Sequence, residues 1–317
     1  MRPVSLQNSP RVEDPRLGRI VWALLAAVAF VAVAFGAYYY WDRYVALGDK
    51  SPVEKNIQHL EEQVRKNPED PNTRLALAQY YLESGMAARS LEQAQQVLNA
   101  YPEKHEALFM TGVAYLRAGQ PQAAIEPLEK LVSFRRGAQM AKADSILEAA
   151  LYYLGDSYIR VDDPAKAIPV LTEALTIDRT DADALYRLGV AYALKGQHEQ
   201  ALEQLQRAVL FVPDLAEAYD QMAKSYAALS RPDYVTYAQG MEAYSRKDYT
   251  NARTLLARAV AKAPDLVAAQ LGLGLTLEQT GELQLAKKSF QKVLAAQPDN
   301  MLASRGLSRI DSPGGAH

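Results

Sequence analysis

The chain has 317 residues, 35 Lys and Arg against 37 Asp and Glu, a net charge of −2 and 49 % hydrophobic residues. That hydrophobic share is ordinary for a folded protein, and the balanced charge gives the chain no general attraction for nucleic acid. It has no cysteine, which excludes disulfides, thiolate metal sites and cysteine nucleophiles.

Met1 to Arg19 is polar and proline-containing, and residues 1–19 are expected to form a disordered tail. Ile20 to Trp41 reads IVWALLAAVAFVAVAFGAYYYW without a charge. A helix of that length spans roughly 33 Å, enough for a hydrocarbon core of about 30 Å. Trp22 lies near one end, and Tyr38, Tyr39, Tyr40 and Trp41 crowd the other, where amphipathic rings favour the headgroup layer. A transmembrane helix over 20–41 is therefore expected, with a linker over 42–52. Ala32-Val33-Ala34 resembles a signal-peptide cleavage site, but the apolar run continues past it. A retained anchor fits better than a cleaved leader. Arg2, Arg11, Arg16 and Arg19 precede the run, while Arg43, Lys50 and Lys55 follow it among Asp42 and Asp49. The positive-inside bias then predicts a cytoplasmic N-terminus, with the rest on the outer face of a single-pass membrane protein.

Beyond the linker, small residues recur. Ala78, Gly112, Gly155, Gly189, Ala223, Gly240 and Gly274 are separated by 34, 43, 34, 34, 17 and 34 positions. A sustained period of 34 predicts stacked helix–turn–helix units. In the unit from Ala182, Leu185, Leu188 and Tyr192 share one helix face, and Gly189 sits where a side chain would block close helix approach. Gly196 ends that helix, Ala201, Leu205 and Ala208 mark the second, and Pro213 closes the unit.

This pattern resembles the tetratricopeptide repeat, whose slots Leu185, Leu188-Gly189, Tyr192, Gly196, Ala201, Leu205, Ala208 and Pro213 fill in order. Further copies carry Leu108, Gly112, Tyr115, Gly119, Ala124 and Leu128; Leu151, Leu154-Gly155, Tyr158, Ala167, Leu171 and Ala174; Gly240, Ala252, Leu256, Ala259 and Pro264; and Leu273-Gly274, Gly281, Ala286, Phe290 and Pro298. A weaker copy has Leu77-Ala78, Tyr81, Gly85 and Pro102. The resemblance implies an all-α, right-handed α-solenoid of helix pairs following the membrane helix. An N-terminal array is expected over 53–230, a C-terminal array over 231–310 and a loose tail over 311–317. The slot residues themselves belong to the core.

Three departures stand out. The gap of 43 leaves about nine extra residues near Ser133 to Leu147, with Phe134 to Gly137 breaking a second helix and the following residues lengthening the next one. The gap of 17 places two first-type helices in succession, around Ala216–Leu229 and from Asp233, so the stack should change course near Ser230. Val53–Asn67 and Asn300–Ile310 read as single helices at the two ends, with Asn300 as an N-cap.

Catalytic chemistry is sparse. His59, His105, His198 and His317 are scattered, Gly272 and Gly274 lack the strand and third glycine of a dinucleotide loop, and Asp162-Asp163-Pro164 reads as a turn into a helix. No enzymatic activity, cofactor, metal or small-molecule substrate is expected. The resemblance implies instead a partner-binding groove on the first helices. Its candidate residues are Phe109, Val113 and Arg117; Tyr152, Asp156 and Arg160; Tyr186, Arg187, Val190 and Leu194; and Tyr237, Met241 and Tyr244. Tyr and Arg are enriched where partners bind tightly, and the arginines suit a carboxylate or acidic segment. A subtype of the family grips a chaperone's terminal carboxylate with Lys, Asn and Arg. The matching places here hold Leu75, Gln79, Met110, Ala149 and Tyr153, which do not fit. The expected role is a membrane-anchored scaffold for proteins or peptides, or alternatively a permanent subunit of a cell-envelope complex.

Overall fold

A computed structural model describes residues 15–40, 51–137 and 141–312, with side chains from residue 27 onward except Lys142. Residues 1–14 of the expected tail at 1–19 lie outside the described residues, but Pro15 to Arg19 are helical and open the first helix; residues 42–50 of the expected linker at 42–52 and residues 313–317 of the expected tail at 311–317 also lie outside the described residues. Among the described residues there are sixteen α-helices, one short 3₁₀ turn at Ala141–Ala143 and no strand. The chain divides into two compact units, one ending at Pro68 and one beginning at Glu69.

The first unit holds α1 (Pro15–Tyr40) and α2 (Pro52–Lys66). The large apolar side chains described in α1, among them Val28, Phe30, Val31, Val33 and Phe35, are exposed. Among the described residues no helix is long and apolar enough to cross a membrane. The crossing expected at 20–41 reaches beyond the described side chains at both ends. Helix α2 begins with a capping box in which Ser51 and Glu54 satisfy each other's backbone donors.

The second unit is a solenoid of helix hairpins: α3 (Pro71–Glu83) with α4 (Ala87–Ala100), α5 (His105–Arg117) with α6 (Pro121–Arg136), α7 (Ser145–Arg160) with α8 (Pro164–Ile177), and α9 (Ala182–Leu194) with α10 (His198–Phe211). Then follow α11 (Ala216–Ala228), α12 (Pro232–Ser245), α13 (Tyr249–Lys262), α14 (Val267–Gln279), α15 (Leu283–Ala296) and α16 (Met301–Asp311). Helix starts are written into the sequence. Asp70, Asp144, Asp163, Asp181, Asp248 and Asn300 each accept a backbone N–H of the following first turn.

The recurring glycine explains why the hairpins close. A methyl group built on Gly112 would fall 2.5 Å from Leu128 Cγ, on Gly189 2.7 Å from Leu205 Cγ, on Gly240 2.7 Å from Leu256 Cγ and on Gly274 2.7 Å from Phe290 Cε1. Gly155 meets Leu171 in the same way. In every case the large residue follows sixteen positions later, on the second helix, and is fully buried. In the first hairpin two small residues, Ala78 and Ala94, occupy these places. The tyrosine slot does more than fill space. Gln95 donates to the Tyr115 hydroxyl at 2.8 Å, Gln206 to that of Tyr226 at 3.1 Å, and the Tyr158 hydroxyl donates to Glu129. Each bond ties a first helix to the second helix of the preceding hairpin.

Near Ser230 the alternation of hairpins is irregular, and the stack stays within one compact unit. Turns within hairpins place one residue in the left-handed region: Gly85, Gly119, Asp162, Gly196, Ser230, Lys247 and Gly281. Ser230 lies between α11 and α12, and Lys247 between α12 and α13. Two within-hairpin turns thus follow each other, and α12 packs against both α11 and α13. It is the second helix of one hairpin and the first of the next. First helices accordingly touch in two series, α3–α5–α7–α9–α11 and then α12–α14–α16. Ala223 has no large partner sixteen positions on, where exposed Gln239 stands, whereas Gly240 has Leu256.

One detail differs from expectation. Phe134–Arg136 does not break α6 but extends it, and the helix stops at Gly137. Apolar Val132 is buried and Phe134 stacks on His105 with ring centroids 5.5 Å apart, which favours continuing the helix.

Replacing Gly189 by Ala should destabilise the chain by about 1–3 kcal/mol, the usual range for overpacking, because the new methyl meets Leu205 and the Ala201 carbonyl at 3.2 Å. Denaturant unfolding measures this, and an unchanged midpoint contradicts it. Lys247→Gly should do the reverse. It relieves a left-handed Lys, worth about 1–2 kcal/mol, less the entropy glycine adds to the unfolded chain. The expected net gain is about 0.5–1 kcal/mol by the same assay.

Candidate functional site

The first-helix face of α5, α7 and α9 brings together most of the residues expected to bind a partner. Phe109 of α5 meets Tyr153 of α7 edge-on at 5.7 Å, and Tyr153 meets Tyr152 at 5.0 Å. On α9, the Arg187 guanidinium lies 5.4 Å from the centre of the Tyr186 ring, a favourable cation–π arrangement. Phe109, Tyr152, Tyr186 and Val190 are half-buried, Arg117 and Leu194 are exposed, and Val113 is buried in the packing of α5.

Asp156 organises the seam. It is 3 % exposed. Its Oδ2 accepts from Arg160 Nε at 2.8 Å, one helical turn on, and its Oδ1 lies 3.0 Å from Arg187 Nε across the α7–α9 boundary. A buried carboxylate needs such partners, since an unpaired charge in this position would cost several kcal/mol. Burial works against the charge of Arg187, but Asp156 and Tyr152 outweigh it and raise its affinity for its proton. Burial also pushes the Tyr152 and Tyr186 hydroxyls above the usual tyrosine range.

The α12 candidates belong to a different place. Tyr237 and Met241 are 9 % and 7 % exposed, so they serve packing and offer no free surface. Met241 fills the space beside Gly272 of α14, and burial pushes the Tyr237 hydroxyl strongly upward. Tyr244 remains half-buried, 5.7 Å from Tyr249 of α13. The sequence pattern assigned these residues to a groove because α12 carries a first-helix signature. Its shared position between two hairpins covers that flank.

Comparison with known proteins settles the repeat type. Family profiles described as tetratricopeptide repeat match residues 75–141, 158–225 and 237–301. The chain is built of tetratricopeptide repeats. These repeats are similar to those of the cellulose synthase operon protein C of Escherichia coli (strain K12), 30 % identical over 112 residues, 34 % of this chain and 10 % of that protein. They are also similar to the cellulose synthase 1 operon protein C of Komagataeibacter xylinus, 29 % identical over 139 residues, 44 % of this chain and 10 % of that one. The chain thus spans about a tenth of the length of these relatives. Among solved structures, the crystal structure of MamA protein matches with a TM-score of 0.49 and 23 % identity, covering 57 % of this chain and 93 % of that one.

The repeat pattern alone does not reveal one group. Glu148, in the first turn of α7, has a buried Oε1 without a hydrogen-bond partner. Burial and the neighbouring carboxyls of Asp181 and Asp178 push its carboxyl up to about 7. Asp181 caps α9, so the two carboxyls meet at the joint between the third and fourth hairpins. The sequence signal was an acid 33 positions before a capping Asp, visible only once the helices are stacked.

With the folded-state value raised, the unfolded chain loses this proton first. Stability therefore falls as pH rises from the ordinary carboxylate range through about 7. Glu148→Gln removes that loss. Its stability relative to the native chain should be higher at pH 8 than at pH 4 by about 1 kcal/mol, after discounting for the solvent that still reaches the side chain. Denaturant midpoints at the two pH values measure it, and a pH-independent difference contradicts it.

Proposed function

We propose that the chain is a membrane-anchored scaffold that grips a segment of a partner protein on the first-helix face of α5, α7 and α9. It acts by binding and catalyses no reaction. The observation that carries this reading is the seam itself. The Tyr186 ring lies against Arg187, one of two guanidiniums held by a buried carboxylate, and Phe109 and Tyr152 both meet the Tyr153 ring on the neighbouring first helices. Rigid, amphipathic anchors of this kind lose little entropy on binding and dominate many protein interfaces.

The anchor rests on the sequence: 22 uncharged residues from Ile20 to Trp41. The exposed apolar residues of α1 from Val28 to Phe35 add support, because such a surface is costly in water. Arginines before this run favour a cytoplasmic N-terminus and repeats on the outer face. Tethering would raise the effective concentration of the repeats for partners in the same bilayer.

The full chain, purified in mild detergent with its bound proteins, tests both parts. The double change Tyr152→Ala and Tyr186→Ala should weaken partner capture about tenfold or more while helicity is kept. Undiminished capture contradicts the assignment of this face. The intact chain should also stay with membranes washed in alkaline carbonate; its release would contradict the anchor.

A further inference from the structure

Asp156 and its two arginines specify more than a sticky face. Arg160 donates to Asp156 through its Nε, and the Nε of Arg187 lies 3.0 Å from it. A guanidinium has five N–H donors, four of them on its two terminal nitrogens. The side chains of Arg160 and Arg187 keep 45 % and 27 % of their exposure. Asp156 Oδ1 and Arg187 Nε sit close but off-line, so neither completes a hydrogen bond. The fork is therefore fixed in place and incompletely satisfied. Two guanidiniums against one carboxylate leave a single positive charge.

Resting on the reading of this face as a partner-binding surface, we propose that the Arg160–Asp156–Arg187 cluster selects a partner segment carrying an acidic side chain, whose carboxylate bridges the two guanidiniums. Arg–carboxylate pairs favour this planar, forked geometry. Local charge argues for a monoanion. One carboxylate neutralises the cluster, whereas a phosphate of charge near −2 would bring excess negative charge beside buried Asp156. Of the nearby acids, Asp220 is occupied by Lys224 at 2.7 Å, while Asp183 and Glu217 sit exposed in the first turns of α9 and α11. The cluster lies midway along the α3–α11 series, on α7 and α9. An extended segment crossing this face would present a side chain there. The Tyr186 ring lies against Arg187, and half-buried Tyr152 stands on α7 beside the site. Asp156 is a positioning residue: it orients the guanidiniums and sets their net charge.

The test uses the full chain in detergent and fluorescent decapeptides of Tyr and Ala with blocked ends, carrying one central Glu, Gln or phosphoserine. A fourth probe is the Gln peptide with a free C-terminal carboxylate. The Glu peptide should bind at least tenfold more tightly than the Gln peptide, with the advantage fading as salt rises. Arg187→Gln and Arg160→Gln should each remove most of that advantage, and Arg187→Lys should not restore it. Asp156→Asn should shift preference toward phosphoserine, a change that a merely structural role would not produce. If that variant does not fold, the two arginine variants decide. Equal binding of Glu and Gln peptides, or native preference for phosphoserine or for the free terminus, overturns the proposal. Equal binding that is lost in Tyr186→Ala would still leave the face as a binding surface. Failure of every probe would sink both.

Discussion

One contact sets the geometry of these repeats: a glycine on the first helix receiving a leucine or phenylalanine from the second, sixteen residues later. Gly112 with Leu128, Gly155 with Leu171, Gly189 with Leu205, Gly240 with Leu256 and Gly274 with Phe290 repeat it. The pairing lets two helices approach closely while burying a large side chain completely. It also fixes rotation. With glycine turned toward the second helix, the residues one and two positions before or after it turn toward neighbouring hairpins or outward. Asp156, next to Gly155, becomes buried at the joint with α9, and Arg187, two before Gly189, comes within 3.0 Å of it. Packing and recognition are thus two faces of one helix register.

The same contact accounts for the irregular centre. Helix α12 carries its own glycine, Gly240, and seats Leu256 of α13, so it behaves as a first helix. Yet a left-handed turn at Ser230 folds it back on α11, in the manner of a second helix. Serving both neighbours leaves little of its surface free, which is why Tyr237 and Met241 are buried. The series of first helices that holds the arginine cluster ends at α11, and a new one begins at α12.

Much of this was legible in the sequence because the repeats encode it locally. The 34-residue period, the glycine, tyrosine and alanine slots, and the cap at Asn300 each report one turn or one contact. Half-repeat spacing between Ala223 and Gly240 marked the irregular place, but not that α12 serves two hairpins. What escaped depends on stacking. The burial of Asp156, the elevated proton affinity of Glu148 beside Asp181, and the tyrosine bonds to Gln95, Glu129 and Gln206 join different hairpins. The burial of Tyr237 and Met241 has the same origin, since a signature read along one helix carries no information about what covers its flank.

First helices carry the proposed recognition surface, and second helices carry packing support. Placing a photo-reactive benzophenone side chain at Phe109, Tyr152 or Tyr186, and in parallel at exposed Thr172 of α8 or Glu203 of α10, tests that division in living cells. The prediction is that the three first-helix positions cross-link to one common partner and the two second-helix positions do not. Adducts confined to Thr172 and Glu203 would contradict it.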